Sequence, residues 1–78
     1  MPFESYEVID SHHFKNDKSV DVMYSNQEKK VIYVYNEECL YVKVFETFSD
    51  FIKWFSWDGE KGYDFDFKEY SYQEFYQN

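Results

Sequence analysis

The sequence predicts an α+β fold: a three- to four-stranded antiparallel meander packed by one amphipathic helix and followed by a short C-terminal helix. Three observations predict it. Residues 19–45 contain three β-branched and aromatic runs separated by polar turns. Residues 48–55 carry apolar side chains at helical spacing. Aromatic residues make up 26% of the 78-residue chain, far more than an acidic disordered segment carries, so a packed core is expected.

The first run, Ser19 to Ser25, alternates Val20, Val22 and Tyr24 with Asp21 and Met23. The second, Lys30 to Asn36, contains Val31-Ile32-Tyr33-Val34-Tyr35, and the third spans Leu40 to Phe45. Asn26-Gln27-Glu28-Lys29 and Asn36-Glu37-Glu38 supply the turns. Because side chains alternate across a pleated strand, the expected register collects Val20, Val22, Ile32, Val34, Leu40, Val42 and Val44 on one face. The other face collects Met23, Tyr33, Tyr35, Tyr41 and Phe45. The aliphatic face is the expected bed for the helix.

That helix is expected to begin after Thr47, an N-cap residue followed three positions later by Asp50. Phe48, Phe51, Ile52 and Phe55 then recur at i, i+3, i+4 and i+7, with Trp54 on the flank. Asp58-Gly59-Glu60-Lys61-Gly62 ends it. Tyr63, Phe65 and Phe67 alternating with Asp64, Asp66 and Lys68 predict a fourth strand with an acidic outer face. Ser71 and Glu74 form a second capping pair ahead of Phe75 and Tyr76, which predicts a closing helix of one or two turns. At the N-terminus residues 4–10 suit a strand, whereas residues 12–18 show no period and read as a loop.

One domain spanning residues 1–78 is expected from the length. A single cysteine, Cys39, excludes an intramolecular disulfide framework. No run approaches the roughly 20 apolar residues of a membrane helix, and no secretion signal opens the chain, so a cytoplasmic location without membrane contact is expected. Ala and Arg are absent, while Phe and Tyr number nine each, the usage of an AT-rich genome such as that of a low-GC bacterium or its phages.

The sequence predicts no catalytic residue, metal or cofactor. Asp10, His12, His13 and Asp17 are close in sequence, yet adjacent histidines on an extended chain point apart and no metal-ligand spacing is present. Asp58, Glu60, Asp64 and Asp66 suggest hard-cation chemistry, but Gly62 and Tyr63 occupy positions where an EF-hand loop needs other residues. Cys39 lies beside Glu37 and Glu38, whose charges raise a thiol pKa and oppose nucleophilic chemistry.

Sixteen acids against eight lysines give a formal charge of −8. Residues 46–78 hold eight acids and three lysines, a net −5, against −3 for residues 1–45. Tyr33, Tyr35, Tyr41, Lys43 and Phe45 resemble a base-stacking platform, but this charge and the absence of arginine oppose direct binding to nucleic acid. The expected partner is a basic protein, a nuclease or other nucleic-acid-binding protein. Asp58, Glu60, Asp64, Asp66 and Glu69 would present charge in place of phosphates, and Trp54 and Trp57 would serve as anchors. In size, charge and composition, though in no alignable motif, the chain is similar to the small acidic anti-restriction and anti-CRISPR inhibitors of phages and mobile elements. That resemblance implies a DNA mimic. An immunity protein neutralising a nuclease toxin is the alternative, and a non-enzymatic accessory or regulatory subunit is a third.

Overall fold

The described residues form five strands, the middle three rich in β-branched and aromatic side chains: β1 (Tyr6–His13), β2 (Ser19–Ser25), β3 (Lys30–Asn36), β4 (Leu40–Phe45) and β5 (Lys68–Tyr70). Two helices among the described residues, α1 (Phe48–Phe55) and α2 (Tyr72–Tyr76), join them in an α+β fold. The computed structural model describes residues 3–55 and 67–76. The strands form one antiparallel sheet in the order β1-β2-β3-β4-β5, one strand more than the upper expectation.

Strand β1 overlaps the strand that residues 4–10 suit and runs on through His12 and His13, where a loop was expected. A bulge between Val8 and Asp10 explains why alternation was hard to read there. Ile9 is the inserted residue, and the apolar-polar phase shifts across it. The true turn is confined to residues 14–18. It is closed by the Phe14 amide donating to the Lys18 carbonyl at 2.7 Å, with Asn16 (φ 70°) and Asp17 (φ 63°) in the left-handed region these residues tolerate.

The turn after β2 decides which side chains share a face. Ser25 pairs with Lys30 across four turn residues, so Val22 stands opposite Tyr33 and Met23 opposite Ile32. The expected register placed Val20 and Val22 with Ile32 and Val34; the observed one moves both valines to the opposite face. From β3 to β4 the expected pairing holds, with Val34 opposite Val42 and Ile32 opposite Val44.

The sheet therefore has two buried faces. On one, Tyr6, Met23, Ile32, Val34, Leu40 and Val42 pack under Phe75 of α2, with Phe3 and Tyr70 at the margin. On the other, Val22, Val31 and Phe45 pack under Phe51 of α1, flanked by Tyr24, Tyr33 and Trp54. Helix α1 thus lies on the more aromatic face, not on the aliphatic one expected to bed it, and α2 takes the aliphatic face. Strand β3 is central in the sheet, which accounts for its unbroken apolar run: Val31 and Ile32 are fully buried and Val34 nearly so.

Both helix starts follow their capping residues. Thr47 Oγ1 accepts from the Asp50 amide at 3.0 Å. At α2 the box is reciprocal: Ser71 Oγ accepts from the Glu74 amide at 3.1 Å, and Glu74 Oε1 accepts from the Ser71 amide at 3.0 Å. Those bonds, backbone first, hold the Glu74 carboxyl below its ordinary range. Within α1, Phe51 is buried but Phe48, Ile52 and Phe55 stay 44–47% exposed. The helix is rolled toward Trp54, because that indole finds ring partners on the sheet: Tyr33 at 5.1 Å and Phe45 at 5.2 Å.

Ser25 is the only buried polar side chain among the described residues. Its hydroxyl oxygen accepts from the Glu28 amide at 3.0 Å and shares a hydrogen bond with the Ser5 hydroxyl at 2.8 Å, tying the N-terminal segment to the β2–β3 turn. Ser25→Ala breaks both bonds, an expected loss of about 1–2 kcal/mol. In urea titration this should appear as a lower midpoint at unchanged slope; an unmoved midpoint would show that the turn holds its register without the hydroxyl.

Candidate binding surface

Twelve of the sixteen acids lie among the described residues, and none is buried. A carboxylate left in water carries no desolvation cost, so these charges act outward. Glu37 meets Lys18 at 3.0 Å and Glu46 meets Lys30 at 3.2 Å. The acids spread over the β1 edge (Glu7, Asp10), both ends of the sheet, α1 (Asp50), β5 (Glu69) and α2 (Glu74).

One acidic corner has defined geometry. Tyr41 on β4 stands opposite Glu69 on β5, and the Cys39 thiol donates to Glu69 Oε1 at 3.1 Å. A hydrogen bond from Tyr41 pulls the Cys39 thiol down, but the bond to Glu69, desolvation and the charges of Glu69 and Glu38 outweigh it and leave the pKa raised. The same hydrogen bond to Cys39 pushes the Tyr41 hydroxyl up to about 12, with smaller effects from the Cys39 charge, desolvation, Glu69 and Glu37. Thiol and phenol are both held protonated at neutral pH. The corner therefore offers hydrogen-bond donors ringed by carboxylates, with no activated nucleophile. At the other end of the sheet, burial first and then the charges of Glu28 and Glu46 raise the Tyr6 hydroxyl, marking a second acidic end.

Two of the seven residues predicted to meet a partner are described. Trp54 is half-buried between Tyr33, Phe45 and Phe67, a core-edge position that leaves only part of the indole at the surface. Glu69 is exposed and belongs to the corner around Cys39 and Tyr41. Trp57, Asp58, Glu60, Asp64 and Asp66 lie outside the described residues, as does the expected strand up to Asp66; strand β5 begins at Lys68, where that expectation ended.

The stacking platform is divided by the helix. Tyr33 and Phe45 meet Trp54 from α1, whereas Tyr35 and Tyr41 pair with each other at 6.3 Å, half-buried. Over Tyr33 and Phe45 the cover comes from α1. His12 stands opposite Val20 and His13 opposite Ser19, so the two rings leave opposite faces of the sheet. Among the described residues no group of three or more His, Cys, Asp or Glu is placed to hold a metal ion, and no helix is long and apolar enough to cross a membrane.

Sequence reasoning placed a strand at residues 4–10 but missed that it runs to His13 as an exposed sheet edge. Seven of its eight residues are exposed, among them Val8 and Ile9 at 53% and 51%. The bulge hid the signal that would have extended the strand. Comparison with protein family models, with curated proteins and with solved structures finds no match for this chain.

Proposed function

We propose that the chain is a non-enzymatic inhibitor that binds a basic, nucleic-acid-handling protein and occupies its phosphate-binding groove. One observation carries this reading: a formal charge of −8, with every described carboxylate outside the core. Such a surface steers encounter with a cationic groove and repels nucleic acid itself. The acidic corner adds directional chemistry, because Glu37, Glu38 and Glu69 surround a protonated phenol and thiol and so present acceptors beside donors. Half-exposed rings on α1, Phe48 and Phe55 among them, offer apolar contact of the kind that anchors a charged interface.

The test is capture from lysate of a low-GC host, followed by competition with duplex DNA against the purified partner. Capture of a basic nuclease or DNA-binding protein that duplex DNA displaces is the expected result. Lysine at Glu37, Glu38 and Glu69 together should weaken that binding about tenfold or more, and lysine at Asp64 and Asp66 should weaken it too. A partner that binds DNA and this chain simultaneously, or that ignores both sets of reversals, would overturn the mimic reading.

A further inference from the structure

We propose that β1 is a homodimerisation edge, where two copies of this chain pair antiparallel across Ser11 and join their sheets. The inference is independent of the proposed nucleic-acid-handling partner. β1 ends the strand order and pairs with β2 alone among the described residues; it is eight residues long, against three for β5 at the opposite edge. An edge of this length presents a row of peptide groups to whatever strand fits it.

Two hydrogen bonds show which peptide groups face outward. The Phe14 amide points inward to the Lys18 carbonyl, and hydrogen-bonding direction alternates along an antiparallel strand, so Asp10 and His12 also bond toward β2. Ser11 and His13 then face away. In agreement, the Ser11 amide is taken up by the Asp10 carboxylate at 2.9 Å and not by β2. That carboxylate covers the free donor in a single copy and must give it up when a strand arrives.

Symmetry and charge select the occupant. In a two-fold antiparallel pair, hydrogen-bonded and open pairs alternate, so one residue must stand opposite its own copy. Centring on Asp10 sets two carboxylates face to face. Centring on His12 sets two imidazoles together and places Asp10 opposite Phe14, and centring on Ile9 leaves Glu7 opposite Ser11. Centring on Ser11 alone matches every neighbour: Asp10 meets His12, Ile9 meets His13, Val8 meets Phe14 and Glu7 meets Lys15. Val8, Ile9 and Phe14 are all about half exposed in one copy. Ser11 then forms the hydrogen-bonded central pair, and Asp10 and His12 fall in the closer open pairs, where side chains touch. The released Asp10 carboxylate turns to His12 of the second copy. Beyond the bulge at Ile9 the ladder ends, and Val8–Phe14 and Glu7–Lys15 meet through side chains. The strand suits this pairing because its acids precede Ser11, its histidines follow it and Lys15 lies in the turn just beyond.

Sedimentation of the full chain from about 10 µM to about 1 mM spans the affinities expected of a small interface. The mass should rise from 9.7 kDa toward twice that value. Glu7→Lys and Lys15→Glu should each raise the dissociation constant about tenfold, and the two together should restore it to within about threefold. Both positions are exposed, and circular dichroism checks that each variant stays folded. Exchange of the Ser11 amide should slow as concentration rises. A 9.7 kDa mass throughout, with Ser11 exchange independent of concentration, would overturn the proposal and identify the Asp10–Ser11 bond as edge protection. A dimer indifferent to the charge swaps would overturn it equally and move the contact elsewhere, to the half-exposed α1 ridge of Phe48, Ile52 and Phe55 for example.

Discussion

Phe75→Ala is expected to remove about a quarter or more of the protein's stability. Phe75 is fully buried, and its ring lies 5.5 Å from Phe3 and 5.7 Å from Tyr70 over the face formed by Leu40, Ile32, Val34 and Val42. Truncation strips that face of its cover and leaves a cavity, a loss of about 3–5 kcal/mol. A domain of this size holds roughly 4–12 kcal/mol in total. Helix α2 cannot compensate, since five residues fall far below the length at which a helix persists without packing. Urea unfolding followed by far-ultraviolet dichroism should show the midpoint falling by about a quarter or more, up to complete loss of the folded baseline. A loss below about 1 kcal/mol would mean that α2 is not part of the core.

The reading of β2, β3 and β4 from sequence succeeded because turn chemistry brackets each run and the apolar content of β3 matches a central strand. Two features were hidden for physical reasons. Register depends on turn geometry, and the four-residue turn closed by Ser25 and Lys29 moved Val20 and Val22 to the other face, which periodicity within one strand cannot reveal. The bulge at Ile9 shifted the phase of β1 and disguised its last residues as loop. Helix α1 was placed correctly in the chain, but its roll was not. A stripe of Phe48, Phe51, Ile52 and Phe55 defines an apolar face without saying how much of it a twisted sheet can cover, and the ring partners of Trp54 on Tyr33 and Phe45 decided the matter.

Of the candidate surface, net charge was legible because acids are exposed almost by default. What no count of acids reveals is which of them converge. Glu69 comes beside Cys39 and Tyr41 only because β5 returns antiparallel to β4, a long-range pairing with no local signal. Trp54 illustrates the opposite error. An indole beside an acidic stretch reads as an anchor, yet most of its ring contacts are internal, so its substitution would disturb folding before it disturbed binding.

The roll of α1 can be measured by contrast. Phe51 is the helix's one buried residue, 5.4 Å from Phe45, and it roofs Val22 and Val31. Phe51→Ala should cost about 3–4 kcal/mol, the range for a buried phenylalanine whose cavity cannot fully collapse. Phe48→Ala and Phe55→Ala, at positions about half exposed, should cost about 1 kcal/mol each, because much of each ring already meets water. The eight-residue helix is too short to persist undocked, so loss of Phe51 should also free Trp54 from Tyr33 and Phe45. In a Trp57→Phe background, which leaves Trp54 as the single tryptophan, emission excited selectively at the indole should shift to longer wavelength in Phe51→Ala and stay unshifted in Phe48→Ala. Equal losses at positions 48, 51 and 55 would instead put the whole apolar stripe against the sheet. They would also withdraw from the proposed interface the apolar ridge that α1 offers beside its charges.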